Sequence, residues 1–133
     1  MIALDTNILV RYLIKDDPDQ AVLATNFLAN NRCFLHKSVL LELVWVLASP
    51  AGYKLSRETV HERLLHVLGL SCIESEDPTI VSQALTWYAE GMDFGDALHL
   101  ASSSELAGLA TFDKKFASTA EKLDAKPPIT LIS

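Results

Sequence analysis

Apolar residues recur along this chain in two rhythms, short unbroken runs and longer stretches that return every third or fourth position, and the two alternate. Short runs bounded by turn residues read as buried strands, and the longer periodic stretches as amphipathic helices. Ile2 to Leu4 form the first run; Asp5-Thr6-Asn7 then leads into Ile8-Leu9-Val10 with Tyr12, Leu13 and Ile14, predicting strand, polar turn and helix. Asp17-Pro18-Asp19-Gln20 announces a second helix, with Asp17 suited to the N-cap, Pro18 to the first helical position and Gln20 to a capping box. That helix runs to about Ala29, and a brief strand follows around Cys33 to Leu35.

Ser38 to Leu47 is apolar everywhere after Ser38 except at Glu42, so the pattern predicts a helix buried on all faces that carries one carboxylate. Ser49-Pro50-Ala51-Gly52 closes it. Ser56 can cap the next helix, through about Leu68, whose Val60, Leu64, Leu65 and Val67 form one stripe, and the two helices are expected to make a hairpin. Ser71 to Glu74 reads as a strand, and Asp77-Pro78 repeats the cap-and-proline start for a helix to about Glu90. Helix over Gly95–Leu106, strand over Leu109–Thr111, helix over Lys114–Lys122 and a last strand over Ile129–Ile132 complete the chain. Strands alternating with helices imply a parallel sheet covered on both faces. The expected fold is α/β, a three-layer α/β/α sandwich around a mostly parallel sheet of about five strands, with residues 1–133 as one domain.

Composition narrows the classes. At 133 residues and 50% hydrophobic content the chain is rich enough for a core of ordinary size. Its apolar runs are broken well short of the roughly 18 residues a membrane span needs, and the N-terminus lacks the pattern of a signal peptide, so a cytoplasmic protein is expected. Cys33 and Cys72 have no C-x-x-C pairing and read as ordinary core thiols. A net charge of −6 is the wrong sign for holding nucleic acid on a broad basic surface. A nucleic-acid substrate would require local basic residues or a bound cation to offset the acids.

The acids have a pattern of their own. Burying an unpaired carboxylate is costly enough that it neutralises, pairs or binds a metal, and no Lys or Arg lies within one helical turn of Glu42. In an open parallel sheet, ligands bind beyond the C-terminal ends of the strands. Asp5 closes the first predicted strand and Asp113 follows the fourth; Asp93 and Asp96, three apart, open the helix before it. Taken singly, Asp5, Asp93 and Asp113 could each be helix caps. Gathered at one rim, such carboxylates would raise each other's pKa unless a cation neutralised them. All-oxygen donors favour Mg²⁺ or Mn²⁺, which keep several waters and take only one or two carboxylates directly.

Leu4-Asp5-Thr6-Asn7-Ile8-Leu9-Val10-Arg11-Tyr12-Leu13, Leu41 to Leu47, Asp93-Phe94-Gly95-Asp96-Ala97-Leu98-His99-Leu100-Ala101 and Ala110-Thr111-Phe112-Asp113 resemble, in order, the motifs of the PIN-domain ribonucleases. The likeness is nearest to the VapC toxins of bacterial toxin–antitoxin pairs. It implies a magnesium-dependent endoribonuclease whose acidic quartet falls on Asp5, Glu42, Asp96 and Asp113, with Asp5 and Asp96 contacting metal directly. Thr6 would support the first acid, Asn7 lies beside it in the motif, and Asp93 is an additional acid of less defined role. The resemblance further implies homodimers and a small cognate antitoxin.

On this reading, water activated by the metal attacks phosphorus in line, with Glu42 or Asp113 orienting or deprotonating it, and the products carry 5′-phosphate and 3′-hydroxyl ends. Arg11 and Lys15, four apart on the first helix, with Lys37, Lys114 and Lys115, are candidates for RNA phosphates. His61-Glu62-Arg63-Leu64-Leu65-His66 is no zinc-protease signature, because histidines five apart diverge around a helix. His99 is expected to be packed or hydrogen-bonded. A haloacid-dehalogenase-like phosphatase would want a second Asp where Asn7 stands, and a non-catalytic module of the same fold is the third reading.

Overall fold

A computed structural model describes residues 1–133, which form two compact units, Met1–Asp77 and Pro78–Ser133. The first contains β1 (Ile2–Ala3), α1 (Thr6–Ile14), α2 (Pro18–Asn30), β2 (Cys33–Leu35), α3 (Lys37–Ala48), α4 (Arg57–Leu68) and β3 (Ile73–Ser75). β1, β2 and β3 pair in that order, all parallel, with Ile2 opposite Cys33 and Cys33 opposite Ile73. The C-terminal ends of β1 and β2 therefore lie on one edge, from which Asp5 and the start of α3 emerge. Leu9, Leu35, Leu40, Leu43, Leu47, Val60, Leu64 and Val67 make its core. α3 and α4 pack together, as expected of the hairpin.

The second unit contains α5 (Pro78–Ala89), α6 (Phe94–Ser102), β4 (Leu109–Thr111), α7 (Lys114–Lys122) and β5 (Ile129–Leu131). β4 and β5 pair in parallel, with Leu109 opposite Ile129. Most of the helix contact is between α5 and α6, where Tyr88 meets Phe94 edge to face with ring centroids 5.7 Å apart. The α/β class is thus present, with all pairing parallel within each sheet, but the five strands are hydrogen-bonded as a set of three and a set of two and not as one sheet.

Local chemistry explains the boundaries. Asp17 caps α2 by accepting from the Gln20 amide at 3.1 Å, with Pro18 in the first turn, and Ser56 caps α4 by accepting from the Thr59 amide at 3.2 Å. The second Asp-Pro pair behaves differently. Asp77 stands at φ +41° and its carboxylate accepts from Lys37 Nζ at 2.8 Å. α6 ends at Ser102 instead of continuing to Leu106: the Ser103 hydroxyl donates to the His99 carbonyl at 2.9 Å, a side-chain bond that competes with helix continuation in this serine-rich stretch. α1 begins at Thr6, not Ile8, because Asp5 already adopts N-cap geometry.

Candidate active site

α3 overturns the expectation that it is buried on every face. Val39, Leu40, Leu43, Val44 and Leu47 are buried, while Glu42 is exposed and flanked by Leu41 at 44% and Trp45 at 61% exposure. An all-apolar helix carries no polar stripe to mark its outer side, so periodicity alone could not reveal that one face stays open. Glu42 therefore needs no buried counter-charge. Its Oε2 accepts a hydrogen bond from Thr6 Oγ1 at 3.0 Å, and Thr6 is itself only 5% exposed.

Thr6 is the hinge of this acidic pair. Its amide donates to Asp5 Oδ1 at 2.8 Å while its hydroxyl reaches Glu42, so one residue at the start of α1 binds both carboxylates. The link spans 36 residues of sequence and ties the end of β1 to the second turn of α3. Asn7 is exposed beside them.

The second unit holds the other acids. Asp93 caps α6 by accepting from the Asp96 amide at 3.0 Å, and Asp113 caps α7 by accepting from the Phe116 amide at 3.0 Å. The capping roles open to Asp5, Asp93 and Asp113 are thus filled, each using one carboxylate oxygen and each favoured by the positive end of its helix. Asp96 has no such duty. It lies half-buried in the first turn of α6, and its carboxyl is held above the usual range, first by burial, then by the neighbouring Asp93 and Asp113 carboxylates; His99 acts in the opposite direction. The carboxylate most in want of an explanation is therefore Asp96, not Glu42. His99 itself is exposed, so of the packed or hydrogen-bonded placements expected for it the packed one is not met.

None of Asp5, Glu42, Asp93, Asp96 and Asp113 forms an ion pair with Lys or Arg. Hard oxygen donors, a half-buried acid and uncompensated like charges fit a divalent cation. No group of three or more His, Cys, Asp or Glu side chains is spaced to hold a metal ion.

The basic candidates divide. Arg11 is paired with Asp16 at 2.9 Å, and Tyr53 donates to the same carboxylate at 2.9 Å, so Asp16 is held below its ordinary pKa, chiefly by the Tyr53 hydrogen bond. Lys37 is paired with Asp77, a hydrogen bond that pushes the ammonium pKa up. Lys15 is not on α1 but is its left-handed C-cap, φ 59°, with Nζ 5.8 Å from the Tyr12 ring centroid. Lys114 and Lys115 alone of the five are exposed with no ion pair or ring contact.

Two aromatic neighbours of the acids escaped the sequence reading: Trp45 beside Glu42, and Phe112, 78% exposed, beside Asp113. For Phe112 a signal existed. Leu109 is buried, Ala110 exposed and Thr111 partly covered, and continuing that alternation turns the next residue outward. The histidines at 61 and 66 make no metal site; His66 stacks on Tyr12, with the Tyr12 hydroxyl 2.7 Å from Nε2. Cys33 is buried, with its pKa raised mainly by burial, and Cys72 is partly exposed; both are free thiols. No helix is long and apolar enough to cross a membrane.

Comparison with known families brings one result: the family model described as PIN domain matches residues 2–122, running through all the acidic positions above. Comparison with curated proteins and with solved structures gives no match.

Proposed function

The chain belongs to the PIN-domain family, whose members are generally divalent-metal-dependent nucleases, and from that premise we propose that it is a Mg²⁺-dependent endoribonuclease, the VapC-type toxin of a toxin–antitoxin pair. The observation that carries the reading is Asp96, half-buried beside the Asp93 and Asp113 carboxylates and in no ion pair with Lys or Arg. The proposed catalytic acids are Asp5, Glu42, Asp96 and Asp113, with Asp5 and Asp96 as the direct metal ligands. A bound divalent ion, Mg²⁺ or Mn²⁺, supplies positive charge and Lewis acidity toward the scissile phosphate.

The chain's own groups do the rest. Thr6, bonded to both Asp5 and Glu42, keeps these carboxylates in fixed orientation. Glu42 or Asp113 orients the attacking water and accepts its proton. Asp93, engaged with the Asp96 amide, fixes the turn on which Asp96 stands. Lys114 and Lys115 are the proposed phosphate contacts; Arg11 and Lys37 already have acidic partners. The exposed Leu41 and Trp45 are what would be expected of a surface that a protein partner covers, consistent with an antitoxin or a second copy of the chain.

The test is cleavage of single-stranded RNA by the purified protein with Mg²⁺, with EDTA and by Asp96→Asn. The reading requires activity only in the first case, with 5′-phosphate and 3′-hydroxyl ends. Products ending in 2′,3′-cyclic phosphate would contradict it, because they arise from attack by the ribose hydroxyl.

A further inference from the structure

Phe112 is the most exposed large apolar side chain in the protein, 78% open to solvent, although it follows a strand and precedes a helix, each with a buried residue close by at Leu109 and Phe116. Its backbone is not loose. The Asp113 amide donates to Thr111 Oγ1 at 3.1 Å, and the Phe116 amide donates to Asp113 Oδ1 at 3.0 Å, so hydrogen bonds grip the chain on both sides of the ring. Immediately after it come Asp113, one of the proposed catalytic acids, and then Lys114 and Lys115, both exposed and without ion pairs. A solvent-facing aromatic on a hydrogen-bonded backbone, followed by two available cations, is the combination that single-stranded nucleic acid recognises: a base stacks on the ring while the backbone phosphates meet the ammonium groups.

We propose that Phe112 is a base-stacking platform that positions single-stranded RNA next to Asp113, with Lys114 and Lys115 holding the adjoining phosphates. The assignment rests on the nuclease reading for its substrate and adds to it a residue that reads an unpaired base. Bases inside a duplex are already stacked on each other and cannot use the ring, so the surface discriminates single-stranded from double-stranded RNA. Any base offers a π face, so the contact selects for strandedness more than for sequence.

The experiment compares the full-length protein with Phe112→Ala and Phe112→Trp in two assays. In EDTA, where hydrolysis is suppressed, anisotropy of a labelled single-stranded oligoribonucleotide should show binding weakened about tenfold in Phe112→Ala and retained in Phe112→Trp, with an abasic oligonucleotide insensitive to either change. In Mg²⁺, the same loss should appear in KM more than in kcat. Equal affinity and equal KM for wild type and Phe112→Ala would overturn the proposal while leaving a nuclease in place. Conversely, a wild-type protein that cuts nothing yet binds single strands through Phe112 would retain the platform and discard the nuclease. Failure of the wild type to bind any oligonucleotide overturns it, and so does a change in solution mass on Phe112→Ala, which would make the ring a protein contact.

Discussion

The two units treat their charges in opposite ways. In Met1–Asp77 nearly every functional charge has a local partner: Arg11 with Asp16, Lys37 with Asp77, and Glu42 with the Thr6 hydroxyl. In Pro78–Ser133 Asp93 and Asp113 are bonded to backbone amides, but Asp96 lies beside both carboxylates without a Lys or Arg, and Lys114 and Lys115 are unpaired; the one ion pair, Lys126 with Asp124, is long at 3.8 Å and highly exposed. The first unit gives Asp5 and Glu42 a shared donor in Thr6, whereas the second sets like charges side by side. Among the four acids of the motifs, Asp5 and Glu42 share Thr6 as a donor, Asp113 is engaged as an N-cap, and Asp96 alone is half-buried beside other carboxylates.

The sharpest way to break this contrast is Asp96→Asn. Loss of RNA cleavage by at least about a hundredfold is expected, the scale associated with removing a group that acts in proton transfer or metal holding. Thermal stability should move the other way. Because folding raises the Asp96 pKa, its contribution to stability is complete below the ordinary carboxylate pKa and is lost as pH rises through the elevated value. Melting curves across that window should therefore show wild-type stability falling with pH and Asp96→Asn nearly flat at this position. A variant that both cuts RNA and melts like the wild type at every pH would erase the distinction between the units.

Divalent metal provides the next test. Mg²⁺ at about a hundred times its dissociation constant should stabilise the wild type by about 2.7 kcal/mol, and Asp96→Asn should lose most of that gain. Equal stabilisation of both proteins would put the ion elsewhere. Thr6→Val probes the quiet unit: it removes the hydroxyl bonded to Glu42 and should cost about 1 kcal/mol in urea denaturation, with a further loss of activity from a carboxylate no longer held. The smallest effect is in salt dependence. Lys114→Gln or Lys115→Gln should each reduce the slope of log affinity for single-stranded RNA against log salt by about 0.7, whereas Arg11→Gln should not, its charge being engaged by Asp16.

Local chemistry was legible from residues alone. Asp17-Pro18, Ser56, the strand at Cys33–Leu35, that at Leu109–Thr111 and the helix at Lys114–Lys122 all stand where the pattern places them, because caps, prolines and short apolar runs act through bonds to near neighbours. The α/β class follows from the same alternation, and the acidic motifs all lie within the residues that the PIN-domain model matches.

What needed the tertiary structure is everything that depends on distant partners. Glu42 looks buried along the sequence and is exposed in space, since burial is decided by which elements pack on α3 and not by α3 itself. Arg11 and Lys37 look available and are paired, because Asp16, Tyr53 and Asp77 meet them only after folding, and Asp77 gives up the capping geometry that its proline suggests. Composition and periodicity specify which groups exist and which local element carries each; solvent access and electrostatic neighbours are properties of a surface, and no surface exists until the chain has folded.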